Sequence, residues 1–357
     1  MVRYKLPSVG TALKLDRNCP HCGRGSGRIH SGVCRRGIRD WKVQALAQRR
    51  MRCPWCGLTW TLRAEGVSAG RQRSDRLVGL GVLAYMLGMS YRQVAMFLGA
   101  LDCPVSKSSI ERDVSAAGLK AQALHRAALG KGLRVRVLGV DGTGVALAGR
   151  SGGMLFFVDI AGGRLLAVEV VGESDSRAVR KHVLAVMSAV GAEEVRTDEH
   201  PVYERAVGEA HHRLCLTHWR KSKLKRAMEL YRQAVAAGRS LEAENLRRLV
   251  ELLRLQPRPP TVPEELEHLV VRYSRCRRGL LWKINQLLQH VERTWSKVSD
   301  DVADPTNNST ERLIGLTLKI RAKTMRGFKS LAKVQSHPYL ASFLRGTQGI
   351  CDLRAVI

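Results

Sequence analysis

Apolar positions recur along this chain with more than one period. From Leu77 to Leu87 they fall three or four residues apart, at Leu77, Leu80, Leu83, Ala84 and Leu87, which predicts an amphipathic helix after Gly66 to Gly70. A short helix follows behind Ser90, with Val94, Ala95 and Leu98 inward and Gly99 as its stop. The next begins at Ser106, where Ser108 and Glu111 have capping-box spacing. From Leu133 the pattern turns to strands. R-V-R-V-L-G-V-D, M-L-F-F-V-D-I-A and L-L-A-V-E-V-V, joined by short glycine turns, read as an antiparallel meander. A helix over 176–190, the strand E-E-V-R-T-D, a short helix and the strand H-R-L-C-L come next. Residues 219–256 are helical again, the proline-rich 256–263 is a stiff linker, and helix resumes at Glu264 and runs through Trp282 to Trp295. Trp219, Trp282 and Trp295 are expected in cores, His211 and His212 in an exposed loop, and the tail from Thr347 carries no pattern.

Three antiparallel strands, a helix, a strand, a helix and a strand is the order of a ribonuclease H-like α/β fold. In that frame Asp141, in V-L-G-V-D-G-T, closes the first strand, and Asp198 closes the fourth, its neighbour. Glu311, in N-N-S-T-E-R, stands at the start of a later helix. Carboxylates so placed suit Mg²⁺, and two ions about 4 Å apart activate an attacking oxygen and stabilise a leaving one in phosphodiester cleavage. Asp159, Glu169, Asp175, Glu199 and Asp304 are competitors, Asp159 ranking lower as a mid-strand residue.

The N-terminal stretch adds a different metal chemistry. C-P-H-C-G at 19–23 and C-P-W-C-G at 53–57 are two knuckles, each turning both thiolates toward one ion, so Cys19, Cys22, Cys53 and Cys56 make a four-thiolate zinc site. His21, His30 and Cys34 are read as non-ligands, and 23–52 as a long loop whose arginines and Trp41 suit phosphate contact. Nine cysteines, an odd number, disfavour a disulfide framework. Cys103 reads as a buried small hydrophobe.

Charge narrows the partners. Lys plus Arg is 60 against 31 for Asp plus Glu, net +29, spread along the chain, which points to nucleic acid. The helices around Ser90 and Ser106, the second carrying Lys107 and Arg112 near its start, fit either a DNA-reading helix-turn-helix or an ordinary helical hairpin. No apolar run approaches the roughly 18 residues of a membrane span, and M-V-R-Y-K-L-P-S leads into no signal-peptide core. The expected location is the cytoplasm, at the nucleoid, with no membrane partner.

V-D-G-T around Asp141, T-D-E-H-P-V-Y around Asp198, P-T-N-N-S-T-E-R-L-I-G around Glu311 and C-L-T-H at Cys215 to His218 together resemble bacterial insertion-sequence transposases of the DDE type, in the Mutator-like group with a C-x-x-H motif and a helical insertion. The resemblance covers roughly 133–330. It implies that Asp141, Asp198 and Glu311 bind Mg²⁺ or Mn²⁺ and that Cys215 and His218 brace the edge of the site against the insertion, with direct DNA contact or metal binding by that pair as the alternatives. It places a zinc-ribbon-like module at 1–65, a helix-turn-helix region at 70–125, the first part of the core at 133–218, the insertion at 219–300 and the closing part of the core at 301–345. Lys319, Arg321, Lys323, Arg326 and Lys329 crowd one short region, either positioning phosphates beside the metals or forming a solvated helix end. The implied activity is cleavage and strand transfer at terminal inverted repeats of double-stranded DNA, by a homo-oligomer assembled on it. The rivals are a catalytically silent regulator derived from a transposase, and another ribonuclease H-like nuclease.

Overall fold

The structure is a computed structural model that describes residues 2–10, 18–25, 28–63, 65–68, 70–130, 132–172, 174–208, 211–255, 258–298, 307–324, 328–346 and 349–357. The chain forms two compact units, Met1–Ala127 with Leu147–Gly149 and Thr317–Ile357, and Ala128–Ala146 with Arg150–Leu316. Among the described residues no helix is long and apolar enough to cross a membrane.

The first unit opens with β1 (Arg3–Lys5) and a three-stranded antiparallel sheet of β2 (Arg28–Gly37), β3 (Ala45–Arg52) and β4 (Thr59–Arg63) in that order. The expected loop at 23–52 is therefore mostly a hairpin. Helices α1 (Asp75–Met86), α2 (Tyr91–Gly99) and α3 (Lys107–Leu129) follow. Ser90 closes a full capping box with Gln93, as its position predicts. On α3 the cap differs from expectation. The Ser106 hydroxyl accepts the Ser109 N–H at 3.2 Å, and Glu111 pairs with Lys333 instead of capping. The sheet is tied to α1 by the buried Asp40, which accepts hydrogen bonds from the Lys42 and Val43 N–H groups, the Ser74 hydroxyl and the Arg76 guanidinium. Burial opposes ionisation there, but these donors hold the Asp40 carboxyl below its usual range. Cys103 is buried, as expected.

The second unit is built on β5 (Val137–Leu147), β6 (Arg150–Asp159), β7 (Arg164–Glu169), β8 (Glu194–Thr197) and β9 (His212–Leu214), in the order β7-β6-β5-β8-β9. β6 and β7 are antiparallel, while β8 is parallel to both β5 and β9. Val137 to Val140 are buried on both faces, as a central strand requires. Helix α4 (Ser176–Val190) presses Val179, Val183 and Val190 into the sheet's core with residues of α5 (Pro201–Val207). The expected strands are present, with two corrections. β5 does not stop at Asp141 but continues to Leu147, turning at Ala148 and Gly149, which have φ of 49° and 83°. Asp159 is the last residue of β6 rather than mid-strand.

Four helices, α6 (Leu216–Ala236), α7 (Ser240–Arg254), α8 (Glu264–Tyr273) and α9 (Gly279–Trp295), enclose their own core. The helix expected from Glu264 to Trp295 is thus two helices, with Gly279 at φ +62° opening the second. Trp219 and Trp295 meet edge to face at 5.6 Å in that core, and the buried Arg258 lies 4.9 Å over Trp295 and donates to two backbone carbonyls. Trp282 is 44% exposed and is not a core residue.

After residues 299–306, α10 (Asn308–Ile314) packs on the sheet. Its approach depends on Gly139. A Cβ there would stand 2.6 Å from Asn307 Oδ1 and 2.9 Å from Ile160 Cγ1, and closer still to Thr310 Oγ1. Gly139→Ala is expected to cost about 1–3 kcal/mol by overpacking and to displace α10. Calorimetry and amide exchange in 307–314 test this, and an unchanged melting midpoint would show that the contact yields.

A π-helical turn, Gly315–Lys319, leads into α11 (Ile320–Thr324), α12 (Leu331–Gly346) and β10 (Ile350–Asp352). β10 pairs in parallel with β1, and Cys351, Leu353 and Val356 are buried, so the tail is ordered structure rather than patternless chain.

Candidate functional site

Two elements bring the acidic residues together. The parallel register of β5 and β8 sets Val137 against Glu194, Leu138 against Val195 and Gly139 against Arg196. Asp141 and Asp198 each stand two residues beyond the last of these pairs, near enough for the Asp198 charge to act on Asp141. Asp198 directly follows β8, and its Oδ1 accepts the His200 N–H at 3.1 Å. Glu311 sits in the first turn of α10, and Asn307 seats that helix by donating from Nδ2 to the Val140 carbonyl at 3.2 Å.

The electrostatics record this convergence. Burial first, then the charges of Asp198 and Glu311, push the Asp141 carboxyl up to about 6. The oxygens of the three carboxylates do not all approach within 4.8 Å of one another; among the described residues only the four cysteines form so tight a group. Three like charges have reason to stand apart.

A carboxyl whose pKa is higher folded than unfolded binds its proton more tightly in the native state. Asp141's contribution is therefore full below the ordinary aspartate value of 3.8 and is lost as pH rises through about 6. The metal-free protein is expected to lose stability over that window. Asp141→Asn should recover roughly 2 kcal/mol at pH 7–8, seen as a midpoint a few degrees higher. A midpoint equal to or below wild type would contradict the crowding.

Cys215 and His218 face α10. The Asn307 N–H donates to Cys215 Sγ at 3.1 Å, and His218 Nε2 lies 2.5 Å from Glu311 Oε1. The pair thus braces the helix that carries Glu311. Cys215, then Glu311, raise the His218 pKa to about 9 against the opposing effect of burial, so the imidazole is cationic at neutral pH. His218 Nδ1 is buried, and Cys215 acts on the ring both as a hydrogen-bonding neighbour and through its charge. Burial acts to raise the Cys215 thiol, but hydrogen bonds involving His218 and Asn307 hold it below its usual value.

The competing acids are engaged elsewhere. Asp159 pairs with Arg164 at 3.2 Å, Glu169 lies 4.0 Å from His182, and Asp175 caps α4. Glu199 is bound by Lys223 and His290; although burial opposes it, these bonds keep its pKa low. Asp304 lies outside the described residues. His212 is buried, not exposed, with Nε2 2.8 Å from Thr197 Oγ1, and burial drives its pKa down to about 4.

The second centre is the cysteine cluster of the first unit. Cys19 and Cys56 sulfurs lie 3.6 Å apart, as do those of Cys22 and Cys53, and all four fall within 4.8 Å of one another. A tetrahedron with metal–sulfur bonds of about 2.3 Å has edges of about 3.8 Å, so the group fits one ion. The knuckles repeat one geometry. Gly23 and Gly57, at φ +71° and +73°, donate to the Cys19 and Cys53 carbonyls at 2.9 and 3.1 Å. The Cys56 and Trp55 N–H groups hold the Cys53 thiol down at about 6, despite burial. His21 and Cys34 are exposed and outside the cluster, and His30 lies outside the described side chains.

The basic residues divide. Lys107, Arg112, Lys319 and Lys329 are exposed. Arg321 is buried 4.0 Å over the Tyr85 ring and donates to the Gly88 and Met89 carbonyls, so it locks the α1–α2 turn instead of meeting phosphate. Arg326 and the Lys323 side chain lie outside the described residues.

Sequence reasoning missed Gly139, Asn307 and the bonds of Glu199. A glycine inside a strand is a signal of close backbone approach, and Asn307 lies within the quoted P-T-N-N-S-T-E-R. Glu199's distant partners left no local trace. No protein-family model matches the chain, and no curated protein matches it.

Proposed function

We propose that this chain is a DDE-type transposase that cleaves and joins DNA at the ends of its own element. The observation that carries the reading is that Asp141 and Asp198 each follow by two residues the last pair of two adjacent parallel strands, with Asp198 and Glu311 both close enough to raise the pKa of Asp141. The strand order β7-β6-β5-β8-β9, with α6 to α9 inserted before α10, supports a ribonuclease H-like core with a helical insertion. The four-thiolate group supports a structural zinc ribbon, and α2 with α3 a helix-turn-helix.

In this reading Asp141, Asp198 and Glu311 hold Mg²⁺ or Mn²⁺, hard cations suited to carboxylate oxygens. Such ions, when bound, lower the pKa of an attacking water or 3′-hydroxyl and neutralise charge on the phosphate. The chain's own residues do the orienting. Asn307 and Cys215 fix α10, cationic His218 holds the Glu311 carboxylate, and the His200 N–H fixes Asp198. Exposed Lys107 and Arg112 on α3 supply phosphate contacts, as does the arginine-rich sheet of the N-terminal module. Double-stranded terminal repeats and target DNA are the partners, and a homo-oligomer on paired ends is the working form, in keeping with the net charge of +29.

The test is cleavage of labelled DNA carrying the terminal inverted repeats that flank the coding sequence. Mg²⁺ or Mn²⁺ should yield a nick exposing a 3′-hydroxyl at the element end, followed by its joining to a second duplex, and EDTA should abolish both. Repeat binding without cutting under either metal would make the chain a regulator. Preferential cutting of Holliday junctions or RNA–DNA hybrids would make it another ribonuclease H-like nuclease.

A further inference from the structure

The turn that carries Asp198 is anchored from its far side. Glu199 Oε1 lies 2.6 Å from His290 Nε2, and both Glu199 oxygens accept from Lys223 Nζ, at 2.7 and 2.6 Å. Lys223 is on α6 and His290 on α9, so one carboxylate ties the end of β8 to two insertion helices. The clasp is not a surface ion pair. The Lys223 side chain is 7% exposed and that of Glu199 24%. Arg293 stands 3.1 Å from His290 Nδ1, where a guanidinium can only donate, which leaves the Nε2 proton for Glu199. On the near side Asp198 Oδ1 accepts the His200 N–H of its own turn. Helix α6 therefore reaches two of the three acids, Glu311 through His218 and the Asp198 turn through Lys223.

We propose that Glu199, clasped by Lys223 and His290, is a positioning residue that sets the Asp198 carboxylate for its cation and couples the helical insertion to the metal site. The inference rests on the carboxylate reading above. Its consequence is that a movement of α6 against α9, such as DNA binding to the insertion would produce, changes metal affinity without touching a ligand.

The experiment is Mn²⁺ binding to the full chain without DNA, followed by the electron paramagnetic resonance of free Mn²⁺. Two disruptions are compared, the paired Glu199→Gln/Lys223→Met and the single His290→Gln. The paired change strands no buried charge, so the fold survives it. It also removes one charge of each sign, so for the pair the long-range field alone predicts unchanged affinity. Positioning predicts a loss of about tenfold in both, the lower end of what loss of an outer-shell partner costs a metal site. Lys223→Arg, which keeps the ion pair, should bind as wild type. Wild-type affinity in both disrupted variants, with Asp198→Asn losing a site in the same assay, overturns the positioning role alone. Unchanged Mn²⁺ binding in Asp141→Asn and Asp198→Asn would overturn the carboxylate reading, and the clasp with it. If the paired variant melts early, His290→Gln decides.

Discussion

Asp141→Asn, Asp198→Asn and Glu311→Gln are each expected to slow cleavage of repeat-ended DNA by on the order of a thousandfold, with repeat binding equal to wild type or tighter. Loss of one carboxylate from a metal pair removes several kcal/mol of transition-state stabilisation, and about 1.4 kcal/mol is a factor of ten. On the proposed function binding should not suffer, because each change removes a negative charge from a surface that would meet phosphates. The usual escape, that an inactive variant is merely unfolded, is closed for Asp141. Its carboxylate is partly buried and crowded by Asp198 and Glu311, so the neutral amide should make the metal-free protein more stable while abolishing activity. More stable and inactive together are the mark of a strained functional carboxylate. Gel-resolved cleavage and calorimetry on the same preparations read both. A variant that cuts at the wild-type rate removes that residue from the site, and an inactive wild type that binds the repeat favours the regulator.

The site was more legible than its supports. Asp198 ends a short strand bounded by charge and turn residues, so its place could be read locally. Asp141 was expected at a strand end, but its strand was cut short. Gly142, Thr143 and Gly144 suggest a turn, whereas β5 carries them on as strand to a turn at Ala148 and Gly149. Pairing supplied by β6 overrides the weak β-propensity of glycine there. The same limit explains the hairpin of β2 and β3, whose arginine-rich strands bury too little on either face to show alternation. The pairing of β1 with β10 joins the two ends of the chain, and no window on the sequence spans it. Arg321 misled for another reason. Beside other cations it reads as a phosphate ligand, but an aromatic face and two carbonyls make a buried place for a guanidinium.

Cys53→Ser should remove one tightly held zinc per chain and, with it, the fold of the N-terminal sheet and high-affinity repeat binding. Among the described residues its apolar support is small, with Ile38 and Leu46 buried, Val9, Val43 and Val67 partly buried around them, and Met51 buried on β3. Zinc binding contributes about 10 kcal/mol or more in small modules of this kind, far beyond what so few side chains supply. The Asp40 bonds to Ser74 and Arg76 tether the hairpin but do not close the knuckles. Because a thiolate must shed its proton to bind the ion, loading is pH-linked. Cys53, held down at about 6, ionises readily, while Cys56 is pushed up to about 12 by burial and its neighbouring thiols, against the Leu58 N–H, so its proton must be displaced. Zinc affinity should therefore fall as pH drops. Metal analysis of the purified chain, circular dichroism and repeat-binding titrations should agree, with binding at least about a hundredfold weaker in Cys53→Ser. A protein that purifies without zinc, and whose Cys53→Ser variant melts and binds as wild type, would reduce both knuckles to thiol turns.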